Sequence, residues 1–197
     1  NGNSKTYAID NISIRAESIV GRTNVEVTEP FWFRDEFRED SRRRFQKWGE
    51  NSPYMGYDST GQFMMVYRAG NSIQGGARSV TKLSTFDVTL TMNSTQHQCV
   101  LYLGGLRDTK ISDFKRFAVN SLGILFNGSL VTLQKATTDL TDIHTVNTGT
   151  DFRGNTIRVT LTGREFAFYI NDLTTPTFTY TLDYDVDPGY VWLSEYT

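Results

Sequence analysis

Tyrosines and hydrogen-bonding side chains occur together in three parts of the sequence that are rich in loop-forming residues. Pyranose rings present apolar C–H faces and arrays of hydroxyl groups. These features suit aromatic rings for stacking, and Asp, Asn, Gln and Arg side chains for directional hydrogen bonds. The sequence therefore indicates carbohydrate recognition. The predicted carbohydrate-binding residues are Tyr54, Tyr57, Asp58, Arg78, Gln98, Tyr102, Arg107 and Asp108.

These eight residues have two predicted roles. Tyr54, Tyr57 and Tyr102 are expected to stack on sugar rings, and the polar residues are expected to bond sugar hydroxyl groups. Some of the eight should converge on one face or rim of the fold. For each residue the alternative is ordinary packing in a loop or in a half-buried strand.

The sequence predicts neither a catalytic site nor a zinc site. His97, His144 and the single cysteine, Cys99, do not have the spacing of zinc ligands. The sequence also has no Gly-rich phosphate loop. Cys99 lies in an apolar run and is interpreted as a small core residue. We therefore expect the protein not to be an enzyme.

An acidic segment near the end of the sequence, Asp183–Asp187, superficially resembles a calcium-binding loop. Pro188 occupies the position at which an EF-hand has glycine, and Ser194 occupies the position of its bidentate glutamate. We expect an acidic turn before the last strand and predict no cofactor. A calcium site of another type in this loop is left as an open alternative.

The composition is that of one folded domain. The chain has 197 residues, of which 38% are hydrophobic and 13% aromatic, enough to form a substantial core. Its formal net charge of -2 argues against a nucleic-acid partner. No apolar run approaches the roughly 18 residues that cross a membrane as a helix. We predict a single domain over residues 1–197, without membrane insertion.

The clearest element is a hairpin over Asn155–Asp172. Ile157, Val159 and Leu161 alternate with polar residues, which is typical of a strand with one buried face. The alternation resumes at Phe166 after a short connection that contains glycine, and this pattern predicts two antiparallel strands.

Further strands are predicted on both sides of the centre of the chain. Phe86–Asn93 alternates between apolar and polar residues, whereas Gln98–Leu103 is uniformly apolar and predicts a central strand. Asn127-Gly128 predicts a hairpin with a type I′ turn. About ten strands, no long helix and no repeat indicate an all-β, antiparallel two-sheet sandwich.

Three segments are predicted to lie outside strands. Helix-forming residues and mixed charges within Phe31–Trp48 permit a short helix or helical turn. Asn51–Gly61 is predicted to be a loop, and Lys135–Gly154 a long polar connection.

Trp192 is ambiguous between the core and an exposed face.

Several of these motifs together resemble the concanavalin A-like (lectin/glucanase, laminin G-like) jelly-roll superfamily. Phe33-Arg-Asp-Glu-Phe37, then Trp48 and Asp58–Phe63, are similar to the opening of many such domains. Ile157–Asn171 is similar to their late hairpin, and Gly189–Leu193 to their near-terminal strand. The resemblance implies a jelly-roll β-sandwich.

Within that superfamily, the enzymes carry motifs that this chain lacks. Retaining glucanases have a Glu-x-Asp-x-x-Glu strand that presents two carboxylates, and no such string occurs here. Polysaccharide lyases use a Gln-x-His strand and an Arg-rich strand. Gln96-His97-Gln98 has the right residue types but the wrong spacing. The resemblance therefore implies a non-catalytic module that binds a cell-surface or cell-wall polysaccharide.

The setting implied by the resemblance is an extracellular or virion surface, within a larger multi-module protein or assembly such as a phage baseplate or tail. Two alternatives remain open: a polysaccharide lyase or glycoside hydrolase with a degenerate motif, and a purely structural or protein-interaction β-sandwich.

The start of the chain departs from the family pattern. A strand like Ile9–Ile14 closes many members, whereas here it opens the chain. We assign residues 1–24 to an N-terminal strand and linker, and 25–197 to the sandwich body. The strand either fills the same place in this sandwich or ends a preceding module, and the first interpretation is preferred.

Overall fold

The computed structural model describes residues 5–15, 33–35, 45–48, 54–57, 63–67, 76–79, 82–92, 99–106 and 119–195. These residues contain strands and connections, and no helix occurs among them. The strands are β1 (Lys5–Arg15), β2 (Phe33–Asp35), β3 (Phe45–Trp48), β4 (Tyr54–Tyr57), β5 (Phe63–Tyr67), β6 (Gly76–Ser79), β7 (Phe86–Met92), β8 (Cys99–Leu106), β9 (Val119–Asn127), β10 (Leu130–Ala136), β11 (Leu140–Asn147), β12 (Thr156–Thr162), β13 (Glu165–Ile170), β14 (Phe178–Thr181) and β15 (Val191–Glu195).

The strands form two antiparallel sheets. The first sheet has the order β14-β13-β12-β7-β1-β5-β4, and β2 also pairs with β1. The second sheet has the order β11-β10-β9-β8-β15-β6-β3. The predicted all-β, two-sheet antiparallel sandwich is therefore confirmed, and its architecture is compatible with a jelly roll.

The main core lies between the two sheets and is rich in phenylalanine. Alternate residues of β7, β12 and β13 contribute to it from the first sheet, and β8, β9 and β10 contribute from the second. Phe126 meets Phe152 edge to face at 5.6 Å, and Phe168 stacks on Phe178 at 5.2 Å. The burial of these large side chains supplies the main drive for the two sheets to pack together.

Two hairpin turns lie where they were predicted, and the turn type predicted for one of them, after Asn127, is different. Gly128 connects β9 to β10, and Gly163 connects β12 to β13; each has a positive φ, 60° and 59°. The second central residues, Ser129 and Arg164, do not have a positive φ. A positive φ at the first central residue alone is the mark of a type II′ turn, so the predicted type I′ turn after Asn127 is wrong.

Three predictions of non-strand structure are wrong where the structure describes the residues. Phe33–Asp35 and Phe45–Trp48 are strands rather than parts of a helix, and residues 36–44 lie outside the described residues. Tyr54–Tyr57 is a strand within the predicted loop. Leu140–Asn147 is a strand within the predicted connection. In each case pairing with a neighbouring strand outweighs the local composition.

The N-terminal strand β1 lies inside the first sheet, between β7 and β5. Its register with β7 shifts between Asp10 and Ile12, where β1 carries one extra residue. A bulge of this kind lets Ile12 and Ile14 lie opposite Leu90 and Val88, two residues that are buried in the core. The predicted division into residues 1–24 and 25–197 stays a prediction.

A glycine contact joins the end of β8 to the segment before β15. Leu83 and Gly189 exchange two backbone hydrogen bonds of 2.6 and 2.8 Å. Gly104 and Gly105 donate to Tyr190 O and Asp187 O, each at 2.9 Å. The backbones approach so closely that a Cβ on Gly189 would overlap the Gly105 backbone. This contact fixes the position of β15 as it enters the second sheet.

The described residues also include no helix that is long and apolar enough to cross a membrane.

Candidate functional site

A row of six residues crosses the second sheet from β6 to β11. The register of the strands places each residue directly beside the next. The six positions span five inter-strand spacings of about 4.8 Å, or about 24 Å. We call these residues the cross-strand row, and they are Arg78, Trp192, Tyr102, Gly123, Gln134 and Asp142.

The cross-strand row lies on the face of the second sheet that is turned away from the main core. Leu122 and Ile124 belong to the main core, so Gly123 between them lies on the opposite face. The buried side chains of that face form a separate apolar cluster, Val100, Tyr102, Leu125, Ala136 and Trp192. The second sheet is therefore apolar on both faces, which explains the uniformly apolar sequence of β8.

Tyr102 lies flat against the sheet at Gly123. A Cβ built on Gly123 would approach Tyr102 Cε1 to 2.9 Å, so only glycine leaves room for this ring position. The Tyr102 side chain is 2% exposed. A ring with so little exposure has no face for a sugar. The predicted stacking role of Tyr102 is therefore corrected, because the residue forms part of the floor of this face.

Trp192 also belongs to this floor. It is 3% exposed, and its Nε1 donates a 3.0 Å hydrogen bond to Gly104 O. The Tyr190 ring meets it edge to face at 5.6 Å. The ambiguity in the sequence is thus resolved: Trp192 is buried, but on the outer side of the second sheet and not in the main core.

Gln134 and Asp142 form the polar end of the cross-strand row. Gln134 Nε2 donates a 2.8 Å hydrogen bond to Asp142 Oδ1. The Gln134 side chain is 2% exposed, and its Oε1 is buried and accepts no hydrogen bond. A buried acceptor left without a donor costs about 1–3 kcal/mol of stability.

A β-bulge in β11 places Asp142 beside Gln134. The register between β10 and β11 shifts after Leu133, which lies opposite His144, so that Ile143 is the extra residue. Ile143 packs against the main core, and His144 stacks on Tyr180 of β14 at 4.6 Å. The predicted location of His144 in a connection is therefore wrong, because it lies in β11 and bridges the edges of the two sheets.

The other predicted site residues are divided between the sheets or lie outside the described residues. Arg78 occupies the cross-strand row, two strands from Tyr102. Tyr54 and Tyr57 lie in β4, at the edge of the first sheet, so they do not share a sheet with Arg78 and Tyr102. The remaining four, Asp58, Gln98, Arg107 and Asp108, lie outside the described residues.

Gln134, Asp142 and Gly123 were missed by the sequence analysis. Thr132 and Gln134 are the polar members of an alternating apolar strand, and this pattern was a usable signal for Gln134. Asp142 carried no such signal because its strand was assigned to a connection. Gly123 is important because it lies beside Tyr102 of β8, and the sequence alone does not identify this pairing.

The outer face of the first sheet differs from this arrangement because its polar groups bond to one another. Arg158 donates to both carboxylate oxygens of Asp87 at 2.9 Å, and also to Leu173 O at 2.7 Å. Its guanidinium lies 5.0 Å from the centre of the Tyr169 ring. The hydrogen bond to Asp87 raises the pKa of Arg158. This cluster stabilises the sheet. None of its described acceptors is buried without a donor, as Gln134 Oε1 is.

The acidic loop uses its carboxylates to fasten neighbouring elements. Asp183 pairs with Lys135 at 3.2 Å, and Asp187 accepts a 2.8 Å bond from the Asn120 amide. Asp185 accepts bonds of 2.7 and 2.8 Å from Arg164. These bonds lower the pKa of Asp185.

No group of three metal-ligating side chains occurs among the residues that the structure describes. Calcium binding by the acidic loop stays open as the alternative to an acidic turn.

The chain matches no model of a known protein family, and no curated protein matches it. A function for this chain is therefore inferred from the geometry of the site.

Proposed function

We propose that the protein is a non-catalytic carbohydrate-binding β-sandwich of the concanavalin A-like jelly-roll type. It recognises a cell-surface or cell-wall polysaccharide through the outer face of the second sheet. The observation that carries this proposal is the β11 end of the cross-strand row, where the exposed Asp142 carboxylate is positioned by a 2.8 Å hydrogen bond from the buried Gln134 amide.

The shape and chemistry of the row support a sugar ligand. A length of about 24 Å is the scale of an extended oligosaccharide and not of one pyranose ring. The buried Tyr102 and Trp192 make this part of the sheet rigid, and the exposed Asp142 supplies a carboxylate acceptor for hydroxyl groups. Arg78 of β6 is the residue at the opposite end of the row.

The row does not resemble a hydrolytic centre. Glycoside hydrolysis ordinarily uses two carboxyl groups on either side of the scissile bond, about 5–10 Å apart. Asp142 is the one carboxylate in the cross-strand row. The proposed role is therefore binding. Such a module serves adhesion or host recognition at an extracellular or virion surface, as one part of a larger protein or assembly.

The test is a binding screen against cell-wall and cell-surface polysaccharides, run with calcium and again with chelator. Asp142→Ala should weaken binding about tenfold, the loss of one charge-assisted contact. Asp139→Ala is the matched control, because Asp139 is an exposed acid in the turn that precedes β11 and lies off the row. It should bind as the wild type does.

Three results would change the proposal. Failure of the wild type to bind any polysaccharide would refute it and favour a structural or protein-interaction module. Release of new reducing ends or unsaturated products would favour the enzyme alternative. Equal weakening by the Asp142 and Asp139 substitutions would move the binding site away from the row.

A further inference from the structure

We infer that Asn127-Gly128, at the turn between β9 and β10, is a modification site. The side-chain amide of Asn127 is lost as ammonia through a cyclic imide, and water then opens the imide to aspartate or isoaspartate. The isoaspartate product loosens the contacts that this turn makes with the segment between β11 and β12. This modification is independent of the proposed function.

The reaction needs only the chain and water. The Gly128 backbone nitrogen attacks the Asn127 side-chain carbon Cγ, so that a nitrogen–carbon bond forms and the bond from Cγ to Nδ2 breaks. Nδ2 leaves as ammonia with the proton of the Gly128 N–H. Water then cleaves the imide at its side-chain carbonyl carbon, which gives aspartate, or at its main-chain carbonyl carbon, which gives isoaspartate. No oxidation or reduction occurs.

The turn leaves the attacking nitrogen accessible. Asn127 and Leu130 form the last pair of the hairpin, so the Gly128 N–H lies outside the ladder. No hydrogen bond from this N–H occurs among the residues that the structure describes. A Cβ built on Gly128 would meet no atom within 4 Å. The absence of a side chain and the open space around it leave the nitrogen unhindered.

The Asn127 side chain is free to rotate towards this nitrogen. It is exposed, and no hydrogen bond to it occurs in the described part of the chain. Residues 119–195 contain four other asparagines, and none of them precedes a glycine. Each of the four has a hydrogen-bonded side chain: Asn120 with Asp187, Asn147 with Ser129, Asn155 with the backbone of Asp151, and Asn171 with Asn155. Asn127 therefore differs from them in both its freedom and its neighbour.

The turn also fastens the segment between β11 and β12 to the hairpin. Gly128 O accepts a 3.0 Å bond from Phe152 N, and Ser129 O accepts bonds of 2.9 and 3.0 Å from the backbone and hydroxyl of Thr148. Phe152 is buried in the main core, where its ring meets Phe126 edge to face. Isoaspartate adds a methylene group to the main chain next to Gly128 and displaces these carbonyl groups. Aspartate leaves the main chain unchanged.

The experiment follows the full chain during incubation at neutral and at mildly alkaline pH. Peptide mass spectrometry measures the gain of about 1 Da that accompanies replacement of the amide by a carboxyl group. Asn127 should convert about tenfold faster than the four hydrogen-bonded asparagines, because each of these must first lose a hydrogen bond. The rate should rise with pH, because attack requires the backbone nitrogen to lose its proton. An isoaspartyl methyltransferase distinguishes isoaspartate from aspartate.

Asn127→Gln is the matched variant, because it keeps an exposed amide but requires a larger ring that forms more slowly. After the same incubation it should show no gain of mass at this position and no change in melting temperature. The isoaspartate form of the wild type, separated by chromatography, should melt about 2–4 °C lower, which corresponds to the loss of about one backbone hydrogen bond. The aspartate form should melt as the unmodified protein does.

Any of three results would overturn this assignment. The first is conversion of Asn127 no faster than that of the four other asparagines. The second is conversion in urea but not in the folded chain, which would show that the turn holds the two groups apart. The third is an isoaspartate form that melts as the unmodified protein does, which would show that the turn contacts are not displaced. Carbohydrate binding is affected by none of these results.

Discussion

Substituting alanine for Gly189 places a methyl group directly against the backbone of β8. The new Cβ would lie 2.5 Å from Gly104 C and would overlap the nitrogen and oxygen of Gly105 still more closely. Backbone atoms cannot rotate away as a flexible side chain can. The segment that carries Gly189 must therefore move away from β8.

The size of the effect follows from the contacts that this movement breaks. Leu83 and Gly189 exchange two backbone hydrogen bonds, worth about 1 kcal/mol each. Overpacking of a well-packed site adds about 1–3 kcal/mol. We expect the free energy of unfolding to fall by about 3–5 kcal/mol. For a chain of this length, the melting temperature should fall by about 6–20 °C.

Urea unfolding and thermal melting of Gly189→Ala measure this loss. Gly149→Ala is the control, because Gly149 has a φ of +72° but no atom within 4 Å of a new Cβ. It carries backbone strain without contact and should lose about 1–2 kcal/mol. A Gly189→Ala protein that melts within 2 °C of the wild type, a shift of about 1 kcal/mol or less, would show that the glycine contact does not constrain the fold.

Two further substitutions test the polar contacts outside the cross-strand row. Arg158→Lys keeps the charge but loses the paired bonds to Asp87 and the ring contact with Tyr169, so the free energy of unfolding should fall by about 2 kcal/mol. Urea unfolding measures this loss, and a change below about 0.5 kcal/mol would place the pair among ordinary surface ion pairs. Tyr184→Phe removes the 3.1 Å bond from the Tyr184 hydroxyl to Ser121 O and should lower stability by about 1 kcal/mol near neutral pH. Burial raises the pKa of Tyr184, so the wild type is stabilised by the neutral phenol below about pH 10, the pKa of an unfolded tyrosine, and loses this stabilisation at higher pH. The difference in stability between the two proteins should therefore shrink as the pH rises above about 10, and parallel pH profiles would contradict this assignment.

Strands with regular alternation were predictable from the sequence. The β12–β13 hairpin was found because apolar residues occupy every second position on both sides of Gly163. β11 was missed because its apolar residues, Leu140, Ile143 and Val146, are three positions apart. The bulge at Ile143 makes this spacing compatible with a strand, and a bulge depends on the partner strand as well as on the local sequence.

The candidate site was only partly predictable. Arg78 and Tyr102 were identified by residue type, but their common row depends on β15 pairing between β6 and β8. The burial of Tyr102 depends on Gly123, which lies 21 positions away in the sequence. Local patterns report which residues alternate along a strand; they do not report which strands become neighbours.

The interior position of β15 in the second sheet has a consequence for the order of folding. β15 lies between β8 and β6, so Leu193 pairs with both Leu101 and Ala77, far earlier in the chain. Such distant pairing gives a high contact order and slow folding. A nascent chain that has emerged only as far as β14 has no strand to join β8 to β6, and both edges remain exposed to aggregation. Synthesis of β15 therefore completes the middle of the second sheet, and termination before Val191 leaves that sheet divided in two.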